Sequence, residues 1–247
     1  MELGTTGVDL TWKVADINIF YPIIIATIGF ITYWFIAQSN KIKLQFDQRN
    51  TPDKASIKHI LFTKYMGFLW MGVIPLIISL IILPQYTLSD YGVTIIPETT
   101  LTSIVWIFGL AIIIIPVAMT SAKKTKNLIN YPQIRAQEWN YSLKIKNTLG
   151  WAAYLLGYEI LFRGILLFPL VTEMGVWPAI AVNTSLYSST HIPKGLDETI
   201  GAIPLGILLS LLTLLTGTIW VAFFVHLTMA LTNSFTALKH HPAMKSI

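Results

Sequence analysis

The chain has no cysteine among its 247 residues. This absence excludes disulfides, thiol nucleophiles and cysteine-ligated metals. Charge is also scarce: charged residues make up 12% of the sequence and hydrophobic residues 54%, whereas soluble domains carry about 25% charged residues. We therefore expect an integral membrane protein, with membrane lipids as partners and no nucleic-acid partner.

Hydropathy predicts an all-α fold, a polytopic bundle of about seven transmembrane helices within a single domain over residues 1–247. An eighth, interfacial helix is predicted between Tyr131 and Lys146. The seven predicted spans are Ile17 to Ala37, Tyr65 to Leu83, Thr102 to Thr120, Thr148 to Leu170, Trp177 to Ile192, Thr199 to Leu215 and Thr218 to Ala237.

The basic residues concentrate in alternate loops, which predicts the orientation of the bundle. By the positive-inside rule, the N-terminus lies outside and the C-terminus lies in the cytoplasm. Acids such as Asp90, Glu98 and Glu173 occupy the opposite loops. Fifteen of the 17 basic residues lie on the predicted cytoplasmic side: Lys41, Lys43, Arg49, Lys54, Lys58, Lys64, Lys123, Lys124, Lys126, Arg135, Lys144, Lys146, Lys194, Lys239 and Lys245.

The first sixteen residues do not resemble a cleavable signal peptide. They contain Glu2, Asp9 and Asp16 and lack a basic segment followed by a short apolar core. Lysine and isoleucine usage is typical of a prokaryote, so we expect the prokaryotic cytoplasmic membrane to hold this protein.

Four ionisable residues interrupt the apolar helices in the last third of the chain: Glu159, Arg163, His191 and His226. A charged side chain at the bilayer centre costs roughly 2.5–3.5 kcal/mol on the insertion scale, so it usually has a function. Glu159 and Arg163 are four residues apart, which places them on one helix face where they can pair.

The predicted depths of these residues are compatible with one shared pocket. At 1.5 Å per residue, Glu159 lies about 16 Å from the cytoplasmic end of its span. His226 lies about 12 Å and His191 about 21 Å from the outer surface. Helix tilt can close the remaining difference in height, so we predict a single site built from three spans.

This set of side chains fits two kinds of hydrolytic chemistry. Two histidines and a carboxylate are a usual zinc constellation, in which Glu159, His191 and His226 are the metal ligands. Alternatively, a carboxylate activates water as a general base while imidazoles stabilise the oxyanion. In both cases Arg163 keeps Glu159 charged and oriented, and hydrolysis of an acyl bond is plausible.

Structural roles are the alternative for each of these residues. Glu159 and Arg163 could form an ion pair that locks helices together, and His191 could cap a helix or lie at the interface. His226 could form an ordinary hydrogen bond between helices. Serine, aspartyl and zincin-type protease motifs are absent: the sequence has no His-Glu-x-x-His, Gly-x-Gly-Asp or Gly-x-Ser-x-Gly.

The order of three motifs resembles the CPBP family, also called Abi, which includes the CAAX prenyl endopeptidases. The segment from Tyr158 to Arg163 resembles its Glu-Glu-x-x-x-Arg motif. Tyr187 to His191 resembles Phe-x-x-x-His, and His226 to Ala230 resembles His-x-x-x-Asn. Gly206 and the segment before Trp220 also resemble the family. The motif-bearing core spans residues 148–237.

The resemblance implies an all-helical intramembrane endopeptidase whose substrate is a peptide or lipidated protein. It assigns catalytic roles to Glu159, Arg163, His191 and His226. Two positions depart from the family pattern, because Tyr158 replaces its first glutamate and Ala230 its asparagine.

Three residues could compensate for these departures, and the first is Glu159 itself, which could serve as the base. Glu198 could turn back toward the pocket, although it could equally be a helix N-terminal acid beside Lys194. Asn233 lies two helical turns after His226, on the same helix face. A non-catalytic binding, chaperone or immunity protein is the alternative function. A proton-coupled transporter has weaker support, because paired broken helices are absent.

Overall fold

The computed structural model describes residues 10–247, and it is almost entirely helical. The all-α prediction is confirmed. The α-helices are α1 (Ile17–Ala37), α2 (Asn40–Arg49), α3 (Pro52–Gly67), α4 (Ile74–Ile82), α5 (Pro97–Ala122), α6 (Thr125–Leu128), α7 (Tyr141–Glu159), α8 (Phe168–Met174), α9 (Val176–Ser189), α10 (Leu196–Thr216) and α11 (Trp220–His240). Short 3₁₀ turns cover Val14–Asp16 and Ile192–Lys194.

Two π-helical segments join shorter helices into long continuous ones. Phe68–Val73 links α3 to α4, and Ile160–Leu167 links α7 to α8. Each segment ends just before a helix with a proline at its start, Pro75 or Pro169. Because proline has no N–H, the carbonyl four residues earlier loses its helical partner, which favours a local widening of the helix.

Among residues 10–247, six helices are long and apolar enough to cross a membrane, so the chain is an integral membrane protein. They match six of the seven predicted spans. The remaining predicted span corresponds to α9, whose 14 residues are too few for this criterion. The six are Val14–Ala37, Pro52–Ile82, Pro97–Ala122, Tyr141–Met174, Leu196–Thr216 and Trp220–His240.

Contacts at the two ends of the bundle show that α9 nevertheless runs from one end to the other. At one end, Glu173 accepts a hydrogen bond from Asn18, which in turn accepts one from Gln85. At the opposite end, Asp197 pairs with Lys126 at 3.2 Å. Since α9 lies between Glu173 and Asp197 in the chain, it connects these two ends. Within the described residues, the chain therefore passes seven times between the two ends of the bundle.

The predicted interfacial helix between Tyr131 and Lys146 is wrong. Residues 131–140 form an irregular segment containing the short strand β1 (Glu138–Trp139), and Tyr141 begins the long helix α7. Strand β1 pairs in parallel with β2 (Lys245–Ser246). Backbone pairing with the C-terminal segment therefore replaces the helical hydrogen bonds that an amphipathic helix would form there. The prediction that the first sixteen residues are not a cleavable signal peptide rests in part on residues 1–9, which lie outside the described part of the chain.

The central element is the continuous helix Tyr141–Met174. In the most apolar stretch of this helix, 78% of the residues are buried inside the protein, against 6% in the corresponding stretch of Pro97–Ala122. It crosses Pro52–Ile82 at a very short distance, because a Cβ on Gly157 would lie 2.7 Å from the Cα of Phe68. Glycine permits this approach. The predicted motif on this helix is therefore enclosed by neighbouring helices.

Candidate functional site

Glu159 and His226 form the centre of the candidate site. Glu159 is the last residue of α7 before the π-helical segment, and it is fully buried. Its Oε1 accepts a hydrogen bond from Nδ1 of His226, on α11, across 2.5 Å. The structure thus brings together two of the predicted site residues, which belong to different spans and lie 67 positions apart in the sequence.

Arg163 lies on the other side of the same carboxylate. Its Nε is 3.8 Å from Oε2 of Glu159, and its guanidinium lies over the ring of Tyr187, 4.4 Å from the ring centroid. Among residues 10–247, neither Oε2 nor any guanidinium nitrogen has a hydrogen-bond partner. The buried Glu159 carboxylate and the buried Arg163 guanidinium therefore face each other, and each can still form further hydrogen bonds.

Tyr187 completes a chain of polar contacts through His226. Its hydroxyl lies 2.9 Å from Nε2 of His226. With the Nδ1 proton donated to Glu159, Nε2 of a neutral imidazole carries a lone pair and accepts the tyrosine hydroxyl hydrogen. The order is carboxylate, imidazole, hydroxyl. Such a chain fixes the ring orientation and the tautomer of His226.

Asn183 holds α9 against the motif-bearing helix. This buried amide donates to the backbone carbonyl of Phe162, inside the π-helical segment, across 2.5 Å. Its own oxygen accepts a hydrogen bond from Ser210 on α10, across 3.3 Å. The amide thereby satisfies a carbonyl that the π-helical geometry leaves accessible, and it positions Tyr187 one helical turn further along α9.

His191 lies beside the site without contacting its carboxylate. It follows the end of α9, and its Nδ1 donates to the carbonyl of Tyr187 across 3.0 Å. The Tyr187 ring stands between the two imidazoles, with its centroid 4.9 Å from His191 and 5.9 Å from His226. No hydrogen bond joins His191 to Glu159 or His226 within residues 10–247.

Tyr158 takes the position of the family's first glutamate, but its hydroxyl points toward the end of α9. It hydrogen-bonds the hydroxyl of Thr190 across 2.8 Å. Its ring packs edge-on against His226, with centroids 6.2 Å apart. Tyr158 therefore supports the imidazole by packing and provides no second acid beside Glu159.

The structure does not bring Glu198 to the site. Glu198 is half-exposed in the first turn of α10 and faces Lys194, with 3.9 Å between the charged atoms. The predicted turn of Glu198 toward the pocket is thus replaced by a local ion pair, because acids favour the first turn of a helix.

Asn233 also lies away from the carboxylate. Seven residues at 1.5 Å each separate it from His226 by about 10 Å along α11. Its side-chain oxygen accepts a hydrogen bond from Asn127 across 2.8 Å. It shares a helix face with His226, as the spacing predicts, but it stands at a different height and ties α11 to the segment after α5.

The side chains present do not fit the predicted zinc ion. Within residues 10–247, no three His, Cys, Asp or Glu side chains are grouped closely enough to hold a metal. Oε1 of Glu159 and Nδ1 of His226 are hydrogen-bonded to each other, and Nδ1 of His191 is hydrogen-bonded to a backbone carbonyl.

Sequence reasoning missed Tyr187 and Asn183 as residues of the site. Both lie on α9 four residues apart, which is the spacing of one helix face. The feature that could have identified Asn183 is its amide side chain within an apolar run, since membranes disfavour unpartnered polar groups.

The fold and the site define an intramembrane class of protein: a polytopic helical bundle with a carboxylate, a guanidinium and an imidazole buried together. Residues 148–232 match the family model described as Type II CAAX prenyl endopeptidase Rce1-like. This match confirms the resemblance to the CPBP family, over about a third of the chain. Neither a search of curated proteins nor a search of solved structures found a match.

Proposed function

We propose that this chain is an intramembrane peptidase in which Glu159 activates water. The family match supports a CAAX-type protease at the level of the family. The observation that carries the proposal is the asymmetry of the Glu159 carboxylate. Its Oε1 is fixed by His226, while its buried Oε2 has no hydrogen-bond partner among residues 10–247 and faces Arg163.

The free carboxylate oxygen is suited to act as the general base. A water between Glu159 and the substrate carbonyl gives its proton to Oε2, and the resulting hydroxide attacks the carbonyl carbon. The carbonyl π-electrons move to oxygen and form an oxyanion. When the tetrahedral intermediate collapses, the C–N bond breaks, and Glu159 returns the proton to the leaving amine nitrogen.

Arg163 is suited to stabilise the oxyanion. Its Nη1 and Nη2 have no hydrogen-bond partner within residues 10–247, so both remain available as donors. In a buried site such donors act more strongly than in water, because the surroundings screen charge poorly. The ring of Tyr187 beneath the guanidinium holds it in place by a cation–π contact.

His226 and Tyr187 are suited to position the base. The Nδ1–H of His226 holds Oε1, which leaves only Oε2 free to accept the water proton. Tyr187 in turn fixes His226 through Nε2. Nε2 of His191 takes part in none of these contacts and is suited to bind the substrate backbone. The substrate class that fits this location is a peptide or lipidated protein that enters from the membrane or its surface.

Replacing the base with its neutral amide tests the proposal. The Glu159→Gln variant should hydrolyse a peptide library at least about 100-fold more slowly, because removal of a general base typically costs 10² to 10⁴ in rate. Cleavage is measured by mass spectrometry with purified protein in lipid nanodiscs. Glu198→Gln is the matched control, because it changes a half-exposed carboxylate outside the site and should retain activity.

Equal activity of the Glu159→Gln variant and the unaltered protein would contradict the proposed base. Retained chromatographic behaviour of the variant in detergent would separate lost chemistry from lost folding.

A non-catalytic membrane binding, chaperone or immunity protein is the second candidate function. The observation that favours it is Tyr158, whose hydroxyl is bonded to Thr190 and cannot replace a second carboxylate. On this hypothesis the purified protein binds peptides or lipidated tails but cleaves none, and Glu159→Gln leaves that binding unchanged. Binding measured by fluorescence anisotropy, beside the cleavage assay, distinguishes the two functions.

A further inference from the structure

A small basic pocket lies between α2 and α3, far along the chain from the candidate site. The polar helix α2 follows α1 after a gap of two residues and folds back onto α3. Phe46 fixes this arrangement, because its ring packs 5.7 Å from the ring of His59 and 5.6 Å from that of Phe62. The two helices therefore form a defined hairpin.

The lining of this pocket carries positive charge and no carboxylate. A cavity of about 270 Å³ is lined by Gln45, Phe46, Arg49, Asn50 and Lys58. The Lys58 ammonium donates to Oδ1 of Asn50 across 2.6 Å, which holds it at the rim of the cavity. The Asn50 amide nitrogen in turn donates to the Phe46 carbonyl across 2.9 Å, so Asn50 positions Lys58. Two cations from two helices thus line the pocket together with the Gln45 amide, a donor set that matches a phosphate or carboxylate oxyanion.

The acid nearest the start of α3 is already engaged elsewhere. Asp53 Oδ2 accepts a hydrogen bond from the backbone N–H of Gln137 across 3.1 Å. No ion pair of Arg49 or Lys58 occurs within residues 10–247. Neither cation of the pocket is therefore paired with a carboxylate of the described residues.

The position of the pocket relative to the apolar helices places it at the depth of lipid headgroups. Lys58 precedes Tyr65, the first residue of the predicted apolar span, by seven residues, or about 10 Å along the helix. The two headgroup layers add roughly 10–15 Å in total, or about 5–8 Å on each side, so Lys58 lies at the outer edge of this layer and its long side chain reaches back into it. Leu44 on α2 is exposed and can enter the apolar boundary.

We propose that this pocket binds the phosphate of an anionic phospholipid headgroup, with Arg49 and Lys58 as the charged ligands, Gln45 as a neutral partner and Asn50 as the residue that positions Lys58. Basic pockets at the cytoplasmic ends of membrane helices are suited to such headgroups. Arg49 has the bidentate geometry that a phosphate accepts, and Lys58 adds a point charge. This site is independent of the proposed peptidase activity.

The test uses the full chain purified in detergent and titrated with phosphatidylglycerol, with bound lipid counted by native mass spectrometry. The double variant Arg49→Gln with Lys58→Gln should bind phosphatidylglycerol roughly 30-fold more weakly, since each cation near the surface contributes about a five-fold factor. The matched control is Lys41→Gln with Lys54→Gln. It removes the same charge from exposed residues of the same two helices and should leave binding unchanged.

Two results would overturn the proposal. One is binding of phosphatidylglycerol by the pocket variant as tightly as by the unaltered protein. The other is an equal loss in both double variants, which would show diffuse charge attraction without a site. A parallel titration with inorganic phosphate separates the sources. Displacement of the lipid by millimolar free phosphate would also overturn the lipid assignment, whereas persistence of the lipid supports it.

Discussion

At the scale of residues, Tyr187 links more of the candidate site than any side chain that sequence reasoning selected. Its hydroxyl bonds His226, its ring supports the Arg163 guanidinium, and its carbonyl accepts from His191. An aromatic residue on an apolar helix is usually a packing residue, so its type alone did not mark it. Its value here comes from the polar atom at the tip of the ring.

Removal of that polar atom should weaken catalysis without unfolding the protein. Tyr187→Phe keeps the ring under the guanidinium but leaves Nε2 of His226 without its donor. We expect a loss of about tenfold in kcat and a shifted pH profile of peptide hydrolysis, because the imidazole orientation is no longer fixed.

Tyr141→Phe is the control, since Tyr141 is exposed at the start of α7. A pH–rate profile of Tyr187→Phe that superimposes on that of the unaltered protein would argue against this positioning role.

The residues of the site differ in how far the sequence could predict them. Glu159, Arg163 and His226 are conspicuous because an apolar helix tolerates so few charged groups. Glu198 and Asn233 were misplaced for a different reason: helical periodicity gives the face of a residue but not its height or its partner. Asn233 is on the expected face, and Asn127 holds it there.

At the scale of elements, the close crossing of two π-widened helices sets the position of the motif. Gly72 and Gly157 lie at this crossing, where an added Cβ on Gly72 would come within 2.8 Å of the Cα of Gly157. Hydropathy predicted both helices but could not predict their widening, which depends on hydrogen bonds lost to Pro75 and Pro169. It also passed over α2, whose residues are too polar to register.

A methyl group at this crossing should destabilise the bundle. Gly157→Ala places Cβ 2.7 Å from the Cα of Phe68, so the helices must separate, at a cost of about 1–3 kcal/mol for overpacking. Gly109→Ala is the matched control, because nothing lies within 4 Å of its added Cβ. Thermal unfolding in detergent should show a lower Tm for Gly157→Ala only. Equal Tm values would show that the crossing can adjust.

At the scale of the whole molecule, contacts divide the connecting segments into two groups. Ile219 donates to the carbonyl of Gly92 across 3.0 Å, so the α10–α11 turn shares one end of the bundle with the segment after α4. The Lys126–Asp197 pair and the β1–β2 pairing lie at the other end. Length alone would count six crossings, whereas these contacts give seven, because α9 covers the distance together with the segment that follows it.

The seven crossings predict on which side of the membrane each connecting segment lies, and reporter fusions can test this. Reporters at three places should distinguish the two ends of the bundle that the contacts define. Alkaline phosphatase should be active when inserted near Gln85. Green fluorescent protein should be bright when inserted near Gly195 or fused after Ile247. Fifteen of the 17 basic residues lie in or next to the second group of segments, so the positive-inside rule predicts that this end is cytoplasmic. Active phosphatase near Gly195, together with loss of fluorescence after Ile247, would mean that α9 does not cross. Tyr187 and Asn183 would then have to reach the site from a helix that returns to the outer face.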